Sequence, residues 1–319
     1  EYFLNLGMCL EDCGVDVHLL VVGEKVPGPL KQIIFSTMKD CYQYVFDCCI
    51  KSNVIIMKDD KILEFEKKHG FHTFFYFNRD PYYKTLEVRC KKLLKQGFHI
   101  IEYYEGNRLH LLTHEPSFSH KIHTIPLLYH KNDSIYNFSK SIPKVYDVGM
   151  VYKYKRQLEK SNRREDLTDL FCKIPNLSYK TIKGFGKRRD EEIRKCKIIV
   201  NVHSKICNNK IVDNRETLRI DRIVSAGCIV VSEPFLETGR NYNDNFIVFS
   251  TYDKIVVTCQ EILEDYESTY KSIFDSYDIK NLERETTKTY EKFLSLQEKK
   301  IQKKKKKLFI ENVFTMETD

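Results

Sequence analysis

The chain lacks tryptophan altogether, has no Cys-x-x-Cys pair and no Asp-x-Asp triplet, and contains no apolar run near the ~20 residues a bilayer-spanning helix requires. The last absence leaves no candidate for a bilayer-spanning helix in this sequence, and no cleaved secretion signal is expected in it. Eleven cysteines are an odd number, and without a paired spacing they are expected to be reduced core thiols, as at Cys49, Cys196 and Cys228. That reading implies a cytoplasmic setting. Histidines gather between His110 and His130, with His110 and His114 one helical turn apart, but no carboxylate or cysteine completes a ligand set at a recognised spacing, so no metal site is expected. No internal repeat is present. The 20 tyrosines and 20 phenylalanines reflect genome composition more than function.

What the 319 residues do contain is 42% apolar and 31% charged side chains, the make-up of a globular protein long enough for two cores. The most informative stretch is Glu216-Thr-Leu-Arg-Ile-Asp-Arg-Ile-Val-Ser-Ala-Gly227, followed by Cys-Ile-Val-Val-Ser-Glu233. At 3.6 residues per turn, Ile220, Ile223 and Val224 fall on one side, while Arg219 and Arg222 share another. One side can dock on a sheet, and the two guanidinium groups are expected to stay free for an anion. Gly227 suits a left-handed C-terminal cap, and residues 228–232 read as a buried strand. Glu233 then stands at the carboxyl end of that strand, where open α/β sheets place their ligands.

The pattern repeats around it. Residues 190–197 read as a helix and 198–203 as a strand that ends near Asn201 and His203; residues 246–249 are a further strand, and Asp253 is placed to cap a helix running through Leu263. Alternating strands and helices predict a parallel sheet with helices on its faces. The segment 144–197 holds 16 Lys and Arg against 8 Asp and Glu, a surplus of eight that equals the net charge of the chain. Within it, Lys155 and Arg156 follow the first strand of this half, and Lys187 belongs to a Gly184-Phe-Gly-Lys loop whose backbone can approach a phosphate. Arg163-Arg164 and Lys187-Arg-Arg189 are read as a solvated face sooner than as a site, since most charges on a helix face water.

These residues resemble a family. In order, Asp147-Val-Gly-Met-Val151, Gly184-Phe-Gly-Lys187, residues 198–203, Thr217-Leu-Arg-Ile, Ala226-Gly-Cys-Ile-Val-Val-Ser-Glu233 and Tyr252-Asp-Lys are similar to the donor-binding half of GT-B glycosyltransferases, especially the group-1 type and its spore-coat-protein-like relatives. The match runs over residues 146–266. The resemblance implies an α/β fold of two Rossmann-like domains facing across a cleft. It also implies transfer of a sugar from a nucleotide-diphosphate-sugar donor, itself a substrate, so that no cofactor is called for. Such enzymes usually carry a glutamate five residues before the glycine matched to Gly227. Here that position is Arg222, so Glu216 or Glu233 takes the ribose, or donor binding is altered or lost.

Physical chemistry supplies a separate reason for the basic residues. Breaking the bond between a sugar and a nucleoside diphosphate leaves charge on the departing phosphate, which arginines and a helix N-terminus can meet without a metal. The donor contacts expected are Arg219, Arg222, Glu216, Glu233, Lys187, Arg156, Asn201 and His203. The missing Asp-x-Asp triplet fits metal-independent chemistry. No catalytic base is singled out, and the acceptor, whether glycan, protein or lipid, is not encoded in a readable motif.

The remainder is organised as three parts. Residues 1–143 form an acceptor-side Rossmann-like domain with its connector: a helix over 2–13, a strand over 15–22, further apolar runs at 32–35, 53–57, 72–77 and 98–104, and a helix over 84–95. Residues 144–280 form the donor domain. Residues 281–319 are expected to be a long polar helix, to 307, and a lysine-rich tail. Two other readings stand beside the enzyme: a catalytically silent GT-B-like scaffold, which Arg222 favours, and a basic nucleic-acid-binding protein, which the lysine run at 303–307 brings in and which ranks below both.

Overall fold

The computed structural model describes residues 2–12, 16–22, 29–36, 40, 54–57, 73–78, 84–95, 99–102, 105–125, 130, 142–152, 163–184, 186–203, 206–207, 210–211, 217–235, 242–298 and 307–311. The chain divides into two compact units, one made of residues 1–130 and 283–319 and the other of 131–282. The first division therefore falls earlier than the expected 143/144, and the C-terminal segment belongs to the first unit.

In the first unit, helix α1 (Tyr2–Asp12) leads into strand β1 (Asp16–Val22), followed by β2 (Lys31–Phe35), β3 (Val54–Met57), β4 (Thr73–Asn78), helix α2 (Lys84–Lys95), β5 (His99–Glu102), helix α3 (Glu105–His114) and β6 (Ile122–Thr124). The last described strand, β14 (Lys307–Glu311), pairs in parallel with both β1 and β3. The sheet runs β2-β1-β14-β3-β4-β5-β6, and every pairing in it is parallel. Cys90, Leu93 and Leu94 of α2, with Leu111 of α3, are buried alongside Ile100 and Ile101 of β5. That is the apolar stripe a helix lays on a parallel sheet.

The second unit is doubly wound. Its strands are β7 (Tyr146–Val151), β8 (Tyr179–Ile182), β9 (Cys196–Asn201), β12 (Ile229–Ser232) and β13 (Ile247–Phe249). A small antiparallel pair, β10 (Ile206–Cys207) and β11 (Lys210–Ile211), branches off after β9. The main sheet is all parallel in the order β13-β12-β9-β7-β8. In chain order this is the 2-1-3-4-5 arrangement, and winding reverses between β7 and β9. The crevice at the carboxyl ends of those two strands is the switch point where such sheets bind ligands.

Helices cover both faces. Leu167 and Phe171 of α4 (Arg163–Cys172) pack with Ile255, Cys259 and Ile262 of α7 (Ile255–Glu264) against Val148, Val200 and Val231. Ile193 of α5 (Gly186–Arg194) packs with Ile220, Ile223 and Val224 of α6 (Thr217–Ser225) against Ile199 and Val230 on the other face. Each of the three α6 side chains is fully buried, contributing about 2 kcal/mol relative to exposure. Helix α6 ends as its sequence predicts: Gly227 has φ +67°, its N–H reaches Val224 O (2.9 Å), and Cys228 N–H reaches Ile223 O (3.3 Å). This is a Schellman closure. Two further helices follow, α8 (Tyr266–Phe274) and α9 (Ile279–Glu298).

Two local expectations differ. Helix α7 is preceded by Lys254, and no side chain caps it; Asp253 bonds locally to Thr251 instead, which holds its carboxyl below the usual value. The polar helix expected to reach residue 307 ends, among the described residues, at Glu298, and Lys307 opens a strand. Six described cysteines are free thiols, five of them buried and Cys172 exposed; Cys49 lies outside the described residues.

Candidate functional site at the strand ends of the second unit

At the carboxyl edge of the second sheet, polar side chains converge from helices on both faces. Asn201, the last residue of β9, faces Ser232, the last of β12, across the parallel ladder. Its Nδ2 donates to Ser232 Oγ (3.1 Å), and Ser232 Oγ donates to the carbonyl of Glu233 (2.9 Å). Arg219, half-buried on α6, donates from Nη1 to Asn201 Oδ1 (3.4 Å). One cation is thus tethered to the end of β9 from the α6 face.

The second comes from the opposite face. Arg163 opens α4, and its guanidinium engages the Glu233 carboxylate with both Nη atoms, Nη1 to Oε2 at 3.1 Å and Nη2 to Oε1 at 2.5 Å. Glu233 is buried to 2% exposure, so its charge depends on this partner and on the N–H of His203, which donates to Oε2 (2.8 Å). Arg163 also donates to the His203 carbonyl (3.3 Å), and its guanidinium carbon lies 4.0 Å from the centre of the Tyr252 ring. The Tyr252 phenol returns a hydrogen bond to Arg163 O (2.9 Å); burial, then the nearby Asp166 carboxylate, raises its pKa, so it stays protonated. Next along α4, Arg164 donates from Nε and Nη2 to Val202 O (3.0 and 2.9 Å).

Arg163 and Arg164 are therefore no solvated face. They are fastened to the loop after β9 and stand at the point where winding reverses. The signal available in sequence was their position between one strand and the next; the carboxylate that holds Arg163 lies 70 residues away.

The expected donor contacts separate into three groups. Arg219, Asn201, His203 and Glu233 are brought together at this edge. Arg222 is not: it is 3% exposed and ion-paired with Asp190 of α5. Arg189 binds the other oxygen of Asp190 (3.0 Å). The expectation of two free guanidinium groups on α6 is corrected here. Asp190 lies on α5, which packs on the same sheet face, so Arg222 faces inward to a charge rather than outward to an anion. Arg156 and Glu216 lie outside the described residues. So does the side chain of Lys187, whose backbone belongs to the first turn of α5; Gly184 before it has φ +87°, a conformation that favours glycine.

Among the described residues no group of three or more His, Cys, Asp or Glu could hold a metal ion. His99 and His123 stack with a 2.8 Å Nδ1···Nε2 contact. Burial first, then the charges of Arg108 and His120, lowers the His123 pKa to about 4. No described helix is long and apolar enough to cross a membrane.

Two α/β units with parallel sheets in one chain are the make-up of a GT-B fold, and comparison with known proteins supplies the assignment. No family model matches the chain. Its structure is similar to a glycosyltransferase from Rickettsia africae (9% identity, 92% of this chain and 94% of that one, TM-score 0.50). It is also similar to an alpha-glucosyltransferase solved with UDP-glucose and DNA containing an abasic site (10% identity, 91% and 94%, TM-score 0.51). At these identities the likeness establishes the fold. In sequence, 102 residues are 38% identical to R358 of Acanthamoeba polyphaga mimivirus, described as uncharacterized, over 30% of this chain and 35% of that protein. The chain spans about a third of that relative's length.

Proposed function

We propose that this protein is a glycosyltransferase that binds a nucleoside-diphosphate sugar at the strand ends of its second unit and passes the sugar to an acceptor. The observation that carries the proposal is the pair of guanidinium groups, Arg163 and Arg219, held from opposite faces of one sheet at the neighbouring ends of β9 and β12. Departure of the sugar leaves a diphosphate whose added charge needs fixed cationic donors, and two tethered arginines provide them without reorganisation at the moment of bond breaking. In this reading the leaving group is met by guanidinium charge, so the reaction runs without a metal. The fold supports it as well: the structural neighbours include a glycosyltransferase solved with UDP-glucose.

Asn201 and His203 contribute through the strand-end loop, and Lys187, Arg156 and Glu216 remain donor contacts to test. Arg222 is left out. Its inward pairing favours a second reading, a GT-B module without donor chemistry.

A thermal-shift screen with UDP-, GDP- and dTDP-sugars, in EDTA and moderate salt, tests the proposal. Stabilisation by one donor, lost in Arg219→Ala, supports the enzyme; no response to any donor supports the silent module. Salt-sensitive stabilisation by single-stranded DNA alone would support nucleic-acid binding instead.

A further inference from the structure

This inference rests on the donor-site reading and assigns Glu233 within it. A carboxylate offers about four lone-pair directions; three at Glu233 are filled, two by Arg163 and one by the His203 N–H. With 2% exposure it has little surface for a ribose hydroxyl. Arg163 is the opposite case. Of the five N–H groups of a guanidinium, the two on Nη1 go to Glu233 and His203 O and one on Nη2 goes to Glu233. Among the described residues the Nε–H and the second Nη2–H have no acceptor. The side chain is 14% exposed, and the Tyr252 ring backs it at 4.0 Å. Two adjacent N–H groups on a planar, immobilised cation match two oxygens of a phosphate.

We infer that Glu233 is a positioning residue: it touches no part of the nucleotide and instead aims Arg163 at the phosphates of a nucleoside diphosphate. The Glu233 charge repels an incoming anion less than Arg163 attracts it, because the guanidinium lies nearer the phosphate, and Arg219 adds a further positive charge from the other face.

Calorimetric titration separates this role from ribose contact. UDP, GDP and dTDP are titrated into the full chain, and the tightest binder is compared with its nucleoside in wild type, Glu233→Gln, Arg163→Gln and the double variant. A positioning role predicts that Glu233→Gln weakens the diphosphate about 10-fold and leaves the nucleoside unchanged. In an Arg163→Gln background the same change adds less than about 2-fold, because both act through one contact. Equal weakening of nucleoside and diphosphate, or multiplication of the two effects, overturns the inference. If Glu233→Gln does not fold, Arg163→Lys decides: it keeps the charge and loses the fork, so wild-type affinity for the diphosphate in that variant also overturns it. Failure of the donor-site reading itself is visible separately, because wild type would then bind none of the three diphosphates, and the inference would fall with it.

Discussion

Arg222→Glu would install the residue usual at this position in GT-B enzymes, and the structure predicts that it damages the fold. Arg222 and Asp190 are both almost wholly buried and paired between α6 and α5. Removing one partner of a buried pair costs about 3–5 kcal/mol, because the remaining charge loses its compensation. Here a carboxylate would be set against a carboxylate, which adds repulsion; Arg189 on Asp190 offsets part of it. A loss near 4 kcal/mol is the balance of these terms, and for a unit of this size it corresponds to a melting shift of about 8–16 °C. The sign of the pH dependence follows. Like charges raise the pKa of the new carboxylate in the folded state above its unfolded value. The folded protein then binds a proton more readily, so the defect is larger at about pH 8 than at about pH 5. Urea unfolding followed by circular dichroism at both pH values measures this. Adding Asp190→Lys should recover part of the loss by restoring opposite charges, and Arg222→Met with Asp190→Leu should be close to neutral. A stable Arg222→Glu variant, above all one that binds nucleotide better than wild type, would refute the assignment of Arg222 to the interior.

Other outcomes follow from single positions. Arg219→Ala should weaken a nucleoside-diphosphate sugar about 10- to 100-fold by removing one charge-assisted contact, with little change in melting temperature, since this half-buried side chain anchors no core cluster. Gly149→Ala places a methyl 2.7 Å from Cys196 Sγ and 2.9 Å from Ile199 Cδ1; urea unfolding should show a loss of about 1–3 kcal/mol for this overpacking. His123 has its folded pKa lowered to about 4 from 6.5, so its contribution is full above 6.5 and is lost as pH falls through that window; His123→Asn should flatten stability measured between those values. Burial raises the Asp147 pKa, but hydrogen bonds from Lys197 and Ser178 outweigh it and hold the carboxyl below 3.8. Its stabilisation is present above that value and lost below it, so Asp147→Asn should blunt the acid limb of a pH titration of unfolding.

Local periodicity carried most of the fold. The helix over Lys84–Lys95, the strand from Ile229 to Ser232 and the glycine closure at Gly227 are all decided by neighbours within a turn or two, so they were legible. Strand β14 was not. Its place between β1 and β3 is set by partners some 250 to 290 residues earlier in the chain, and its own run of lysines resembles a tail. The site divides in the same way. Asn201, His203 and Glu233 are legible as strand-end residues because the apolar runs before them mark where the strands stop. Where Arg163 and Arg222 turn is not legible, because a guanidinium's direction is set by its partner, and Glu233 and Asp190 are remote in sequence. Helical spacing placed Arg219 and Arg222 three residues apart on one side of α6, yet a difference of about 60° around the axis is enough for one to reach the strand end and the other to reach α5.

In the proposed function, the carboxyl ends of β9 and β12 receive a diphosphate. A crystal structure of the full chain with a saturating nucleoside-diphosphate sugar tests it most directly. Phosphate oxygens are expected about 3 Å from the guanidinium nitrogens of Arg163 and Arg219. A nucleotide bound elsewhere, or none bound with both arginines arranged as they are now, would contradict it.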